Sequence, residues 1–163
     1  MSRAAAIVAL ASISLLGASA PASVETLTYR TFSQAANVQS IDVGDAQGHL
    51  LGITHQSGIA AFSDGTFATT YFTAAFDYTN GSGQILVTYN NITFDDGSEL
   101  WLKSTGTAVA NGQRTNIKGT LSVVGGKGRY DGATGQGTFS GVRLAPLAAG
   151  ADLYLDNTLE VKK

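Results

Sequence analysis

The chain has 163 residues and a net charge of -2, with 44% hydrophobic and only 13% charged residues, 20 glycines and two prolines. That length makes one domain able to bury a real core, and the balance excludes a disordered chain while suiting an all-β one. No basic stripe is present to neutralise phosphates, so nucleic acid is not an expected partner; without cysteine the chain has no disulfide, thiolate metal site or thiol nucleophile.

In chain order, residues 1–22 read as an export signal. Arg3 supplies the positive end, residues 4–16 the apolar run and Ala18-Ser19-Ala20-Pro21-Ala22 the small-residue exit. Cleavage is expected after Ala22, because a cut after Ala20 would put Pro21 directly beyond the scissile bond. An apolar run of about 13 residues falls short of the roughly 20 that span a bilayer, so the product is expected to be exported, periplasmic or secreted, and not membrane-embedded. Residues 23–163 then form the domain.

Residues 24–32 mix β-branched and aromatic side chains and predict a first strand; 33–37 loosens, and 38–43 resumes pairing. Turn signals follow at 44–48, Asp64-Gly65, Asn80-Gly81, Asp96-Gly97, Asn111-Gly112 and Gly125-Gly126, a step of about 16 residues. Each is flanked by runs rich in Thr, Ile, Val, Tyr and Phe. This is an antiparallel meander, and eight strands of about ten residues use up the domain. Strands of that length are expected to close into a single up-and-down barrel, whose interior side chains either fill it or shape it around one small ligand.

Turn positions also predict which side chains share a face. Taking Asn111-Gly112 as a two-residue loop puts Val109 opposite Arg114 and points Leu100, Leu102, Ile117, Leu121 and Val123 inward. The same count carried back through the earlier turns adds Ile85, Val87, Tyr89, Asn91, Tyr71, Thr73, Asp77, Phe62 and Gln56 to the interior. Leu153, Leu155, Leu159 and Val161 alternate in the last strand and complete the lining. Ile53, Phe72, Phe76, Leu86, Ile92, Phe94 and Trp101 fall outside, an apolar wall that predicts cover by the N-terminal segment or another subunit, or else a register slip.

The chemistry is sparse. His49 and His55 are the only histidines, and six residues of strand separate them by roughly 20 Å, so they cannot share an ion. Both fall outward, and no metal site is expected. No Ser-His-Asp arrangement, Gly-x-Ser-x-Gly, dinucleotide fingerprint or phosphate loop is present, and no cofactor is expected. The candidates are polar groups counted as interior: Tyr71, Asp77, Tyr89, Asn91 and Gln56, where a buried carboxylate acts as an acid or an anchor and a tyrosine orients a ligand oxygen. The plainer alternative has the tyrosines filling the barrel and Asp77 capping the Asn80 turn.

The run Gly125-Gly126-Lys127-Gly128-Arg129-Tyr130-Asp131-Gly132-Ala133-Thr134-Gly135-Gln136 resembles the GGxGxFxGAxGQ signature of the allene oxide cyclase barrel-like proteins, relatives of the plant dirigent proteins, with Tyr130 in place of the usual Phe. The resemblance implies an eight-stranded barrel with a hydrophobic cavity, often a trimer, in which polyenes or phenoxy radicals are steered to one product. Gly125, Gly126, Gly128, Gly132 and Gly135 are its structural element and transfer no catalytic role. Two functions are therefore expected: an exported barrel holding a small, largely apolar molecule, as a binding protein or a cofactor-free isomerase or cyclase acting by shape; or a packed barrel whose outer wall drives assembly into dimers or trimers.

Overall fold

The computed structural model describes residues 23–163; the expected export signal, residues 1–22, lies outside them. Eight strands follow in chain order: β1 (Val24–Asp42), β2 (His49–Phe62), β3 (Phe67–Thr79), β4 (Ser82–Phe94), β5 (Glu99–Asn111), β6 (Arg114–Lys127), β7 (Thr134–Arg143) and β8 (Asp152–Lys162). Each pairs antiparallel with the next and β1 pairs with β8, so the sheet closes into the expected up-and-down barrel. Closure leaves no unpaired edge on strands of this length. The two first runs, 24–32 and 38–43, are one strand, which bends at a bulge between Ala35 and Asn37. Among the described residues no helix is long and apolar enough to cross a membrane.

Loop length decides which residues face inward, and here the sequence count needs correction. At Asn80-Gly81 the loop has two residues as expected: Thr79 pairs with Ser82, and both central residues are left-handed, with φ 51° and 79°. The Asp-Gly turns are one residue longer. Thr93 pairs with Glu99 and Ala61 with Phe67, and the backbone N–H groups of Phe94 and Phe62 close the turns onto the carbonyls of Ser98 and Thr66. Each Asp folds over its own turn, Asp96 accepting from Ser98 N–H and Asp64 from Thr66 N–H, both at 2.9 Å.

One extra residue inverts a strand. Counted from β5, the Asp96 turn therefore turns Thr88, Ile92 and Phe94 of β4 inward, and the bulge at Leu86 ahead of the two-residue Asn80 turn brings the even residues of β3 in with them, so that Phe72, Phe76, Ile92 and Phe94 are core, not outer wall. Tyr71, Thr73, Asp77, Val87, Tyr89 and Asn91 face outward, with Tyr71 and Tyr89 52% and 57% exposed. A bulge at Leu86 lets Ile85 stay inside beside Thr88. The second long turn, at Asp64, inverts the count again, so Phe62 and Gln56 of β2 are buried as expected. At the β5–β6 turn Asn111 itself pairs with Arg114, and Val109 pairs with Asn116. That shift of two preserves the faces, and Leu100, Leu102, Ile117 and Leu121 are in the core with Leu153, Leu159 and Val161.

The glycine run plugs one end of the barrel. It contains a single 3-10 turn, Gly128–Tyr130, that drives Tyr130 into the core, 5.3 Å from the Phe94 ring. Gly126 makes room for it: a Cβ there would lie 2.7 Å from Tyr130 Cβ. Arg129 N–H donates to Ser98 Oγ at 3.1 Å, and its guanidinium pairs with Asp96 while lying 4.1 Å over the Phe94 ring. With Phe62 and Tyr29 packed behind Phe94, that end is sealed by aromatic rings.

Candidate ligand site in the barrel interior

The opposite end carries residues 144–151, the connection from β7 to β8. Its ends are tied down, Leu144 N–H to Asp152 O at 3.1 Å and Gly150 N–H to Ala35 O at 2.7 Å, and Leu147 packs against the core between them. A pocket of about 280 Å³ opens at this end, and a void of about 60 Å³ lies at the barrel centre. They share Phe76, Tyr78, Arg143 and Leu147 as walls. The central void alone is a space for a few waters; the end pocket approaches the size of small-ligand sites.

The apolar walls carry a polar layer. Gln56 is the one sequence candidate found here, its Oε1 accepting from Ser33 Oγ at 3.2 Å. Thr70 Oγ1 donates to Asn90 Oδ1 at 2.7 Å, and the Asn157 amide donates to Thr31 Oγ1 at 3.1 Å and to Leu155 O at 3.0 Å. Asn157 was missed, although it breaks the apolar alternation of β8 between Leu155 and Leu159 and so was detectable. Arg143 was missed too: it continues the inward phase of Phe139 and Gly141 and is 3% exposed. Burial pulls its guanidinium below the ordinary value and pushes the neighbouring Tyr78 hydroxyl up, each group partly offsetting the other's shift. Complete burial pushes the pKa of the Tyr29 hydroxyl up, and among the described residues it has no hydrogen-bond partner.

The other candidates do not join this site. Tyr71 stacks on His55 outside, where His55 Nδ1 lies 3.2 Å from the Tyr71 hydroxyl and 2.9 Å from Thr73 Oγ1. Asn91 and Trp101 both donate to Glu99 Oε2, at 3.2 and 2.8 Å, and Lys103 lies 5.9 Å from the Tyr89 ring centre. A wider concavity of about 930 Å³ also lies at the outer surface, where Thr28, Thr158, Thr138, Thr120 and Thr105 align across five strands. It is open and hydroxyl-lined, and lacks the enclosure of the interior.

Asp77 binds His49 on the rim of the open end. The imidazole bridges Asp45 (2.5 Å from Nδ1) and Asp77 (2.8 Å from Nε2), tying the turn after β1 to β3 and leaving neither nitrogen free for a metal. Asp45 first, then Asp77, hold the His49 pKa above its ordinary value. A raised pKa stabilises the fold fully below the unfolded value, about 6.5, and the gain is lost as pH rises through the folded one. The thermal midpoint is therefore expected to fall as pH rises above about 6.5, and His49→Gln to flatten that slope; a variant with the same slope would remove His49 as its cause.

No protein-family model matches the chain, and no curated protein matches it by sequence. Among solved structures it is similar to the pterocarpan synthase dirigent protein GePTS1, with a TM-score of 0.55 and 14% identity over 89% of this chain and 87% of that one. A second neighbour is a pyocyanin demethylase, with a TM-score of 0.42 and 15% identity over 82% of this chain and 99% of that one. At 14% identity the dirigent likeness shows a common fold and nothing more, that of a dirigent-like barrel.

Proposed function

We propose that this is an exported barrel that holds a small, largely apolar molecule in its interior, admitted at the end covered by residues 144–151. The observation that carries the reading is that the end pocket and the central void share Phe76, Tyr78, Arg143 and Leu147 as walls, with hydroxyl and amide groups lining the void beyond them. Apolar walls with a few convergent polar groups are the usual composition of a small-molecule site. Among the described residues, none of the side chains around the two spaces is Asp, Glu or His. Any turnover there would act by holding a reactive conformer and placing hydroxyl and amide dipoles, as a cofactor-free isomerase or cyclase does. Native mass spectrometry of protein made in its own host should find a co-purified small molecule, and N-terminal sequencing should begin at Ser23. A bare mass together with no binding of the neutral apolar probe N-phenyl-1-naphthylamine would overturn the ligand reading.

A second reading is favoured by the outer face of β2 to β6. Ile53, Leu86, Val124, Tyr71, Tyr89 and Trp101 are exposed there, and Asn91 Oδ1 among them is shielded from water with no partner among the described residues. A barrel assembling through this face, as a dimer or trimer, would cover the apolar groups. Light scattering on the eluted protein separates the two: a stable oligomer that binds no probe supports assembly alone.

A further inference from the structure

Arg143 is the one group at the site whose charge is unanswered. Its Nε donates to Ala145 O at 3.0 Å and its Nη2 to Thr115 Oγ1 at 2.9 Å, and the Tyr78 hydroxyl lies beside it. All three partners are neutral, and a guanidinium has five N–H donors to place. Among the described residues no carboxylate comes within salt-bridge reach of it, and residues 1–22 contain no Asp or Glu that could. The contrast with the surface is instructive: Arg30 and Arg129 face solvent, yet pair with Asp156 and Asp96. A buried charge without a counter-charge is among the costlier arrangements a fold carries, and such charges are ordinarily paired. The connection above it, Leu144-Ala145-Pro146-Leu147-Ala148-Ala149-Gly150-Ala151, contains no charged residue to supply one.

We infer that Arg143 receives the anionic headgroup of the ligand, which makes the ligand a small amphipathic carboxylate with its apolar body in the barrel. This rests on the ligand reading above and names its chemistry. Arg143 borders both the end pocket and the central void, so a carboxylate on its free donors leaves the rest of the molecule against Phe76, Ile85, Leu121 and Leu147. The planar fork of a guanidinium matches the two oxygens of a carboxylate, and the shielded setting strengthens the pair relative to one in water. Leu147, on the connection that covers this end, lines both spaces.

Two fluorescent probes that differ only by a charged group test this. Wild-type protein is expected to bind 1-anilinonaphthalene-8-sulfonate at least about tenfold more tightly than neutral N-phenyl-1-naphthylamine, a preference within the range of one charge-assisted hydrogen bond. Octanoate should displace the anionic probe, and inorganic phosphate at equal concentration should not. Arg143→Met should abolish the preference while keeping the neutral probe, and should raise the thermal midpoint because an unpaired buried charge has gone. Arg143→Lys, which keeps the charge and loses the fork, should retain part of the preference. Equal binding of both probes by the wild type overturns the headgroup assignment and leaves the ligand reading intact; displacement by phosphate as readily as by octanoate also overturns it. Failure of both probes to bind overturns the ligand reading itself.

Discussion

Replacing Gly58 with alanine is expected to prevent the barrel from forming, a loss on the order of 4 kcal/mol or more against a total stability of about 5–15 kcal/mol for a domain. Gly58 points inward from β2, where a Cβ would run into the carbonyl oxygen of Phe32 and lie 2.6 Å from Ser33 Cα. Both atoms belong to the backbone of β1, paired with β2 through this stretch, so neither yields without breaking the ladder. The site has no room because the sheet curls sharply there. Inward-facing Gly106, Gly119, Gly137 and Gly141 have the same neighbour, a backbone atom of the adjacent strand. The control is Gly65→Ala in the Asp64 turn: nothing lies within 4 Å of its Cβ, and the φ of 89° makes the cost about 1–2 kcal/mol. Urea unfolding of both variants measures the difference, and similar midpoints would show that curvature does not depend on Gly58.

That result bears on how much of this fold is legible in the chain. The turns at Asp64, Asn80, Asp96 and Asn111 mark strand ends by local chemistry, so strand number and meander order follow from them, and closure follows from the cost of long unpaired edges. Curvature does not, because Gly58 in β2 reads as any strand glycine until Phe32 is placed against it. Facing depends on whether a turn has two residues or three, and the Asp-Gly turns differ in this from Asn80-Gly81. The distinguishing feature was present: Asp64 and Asp96 are each followed by Gly and then Thr or Ser, whose N–H the carboxylate captures. An Asn-Gly pair with both residues left-handed takes the shorter turn. Gln56 faces inward as counted because two such errors cancel on the way to β2. Arg143 and Asn157 were visible as polar breaks in an inward phase, whereas the Asp45–His49–Asp77 bridge joins groups 28 residues apart and needed the β2–β3 register.

The facing of β4 yields the other large effect. Ile92→Asp is expected to unfold the domain near neutral pH, while Tyr89→Asp should change stability by no more than about 1 kcal/mol. Ile92 is fully buried at 0% exposure, so its replacement puts a carboxylate among apolar side chains, where it either stays charged at a cost of several kcal/mol or takes up a proton. Tyr89 lies outside near Lys103, and an aspartate there keeps its water. The pair is diagnostic because a two-residue turn at Asp96 would reverse the outcomes, burying position 89 and exposing position 92. Acid adds a second readout. Burial raises the pKa of an aspartate at position 92, so lowering the pH neutralises it in the folded state and the deficit should shrink toward about pH 4, where a surface aspartate at position 89 shows no such recovery. If Tyr89→Asp proves the more damaging change, or Ile92→Asp gains nothing from acid, the three-residue turn is wrong. The inward assignment of Phe72, Phe76 and Phe94, and with it the wall of the proposed site, would then fail together.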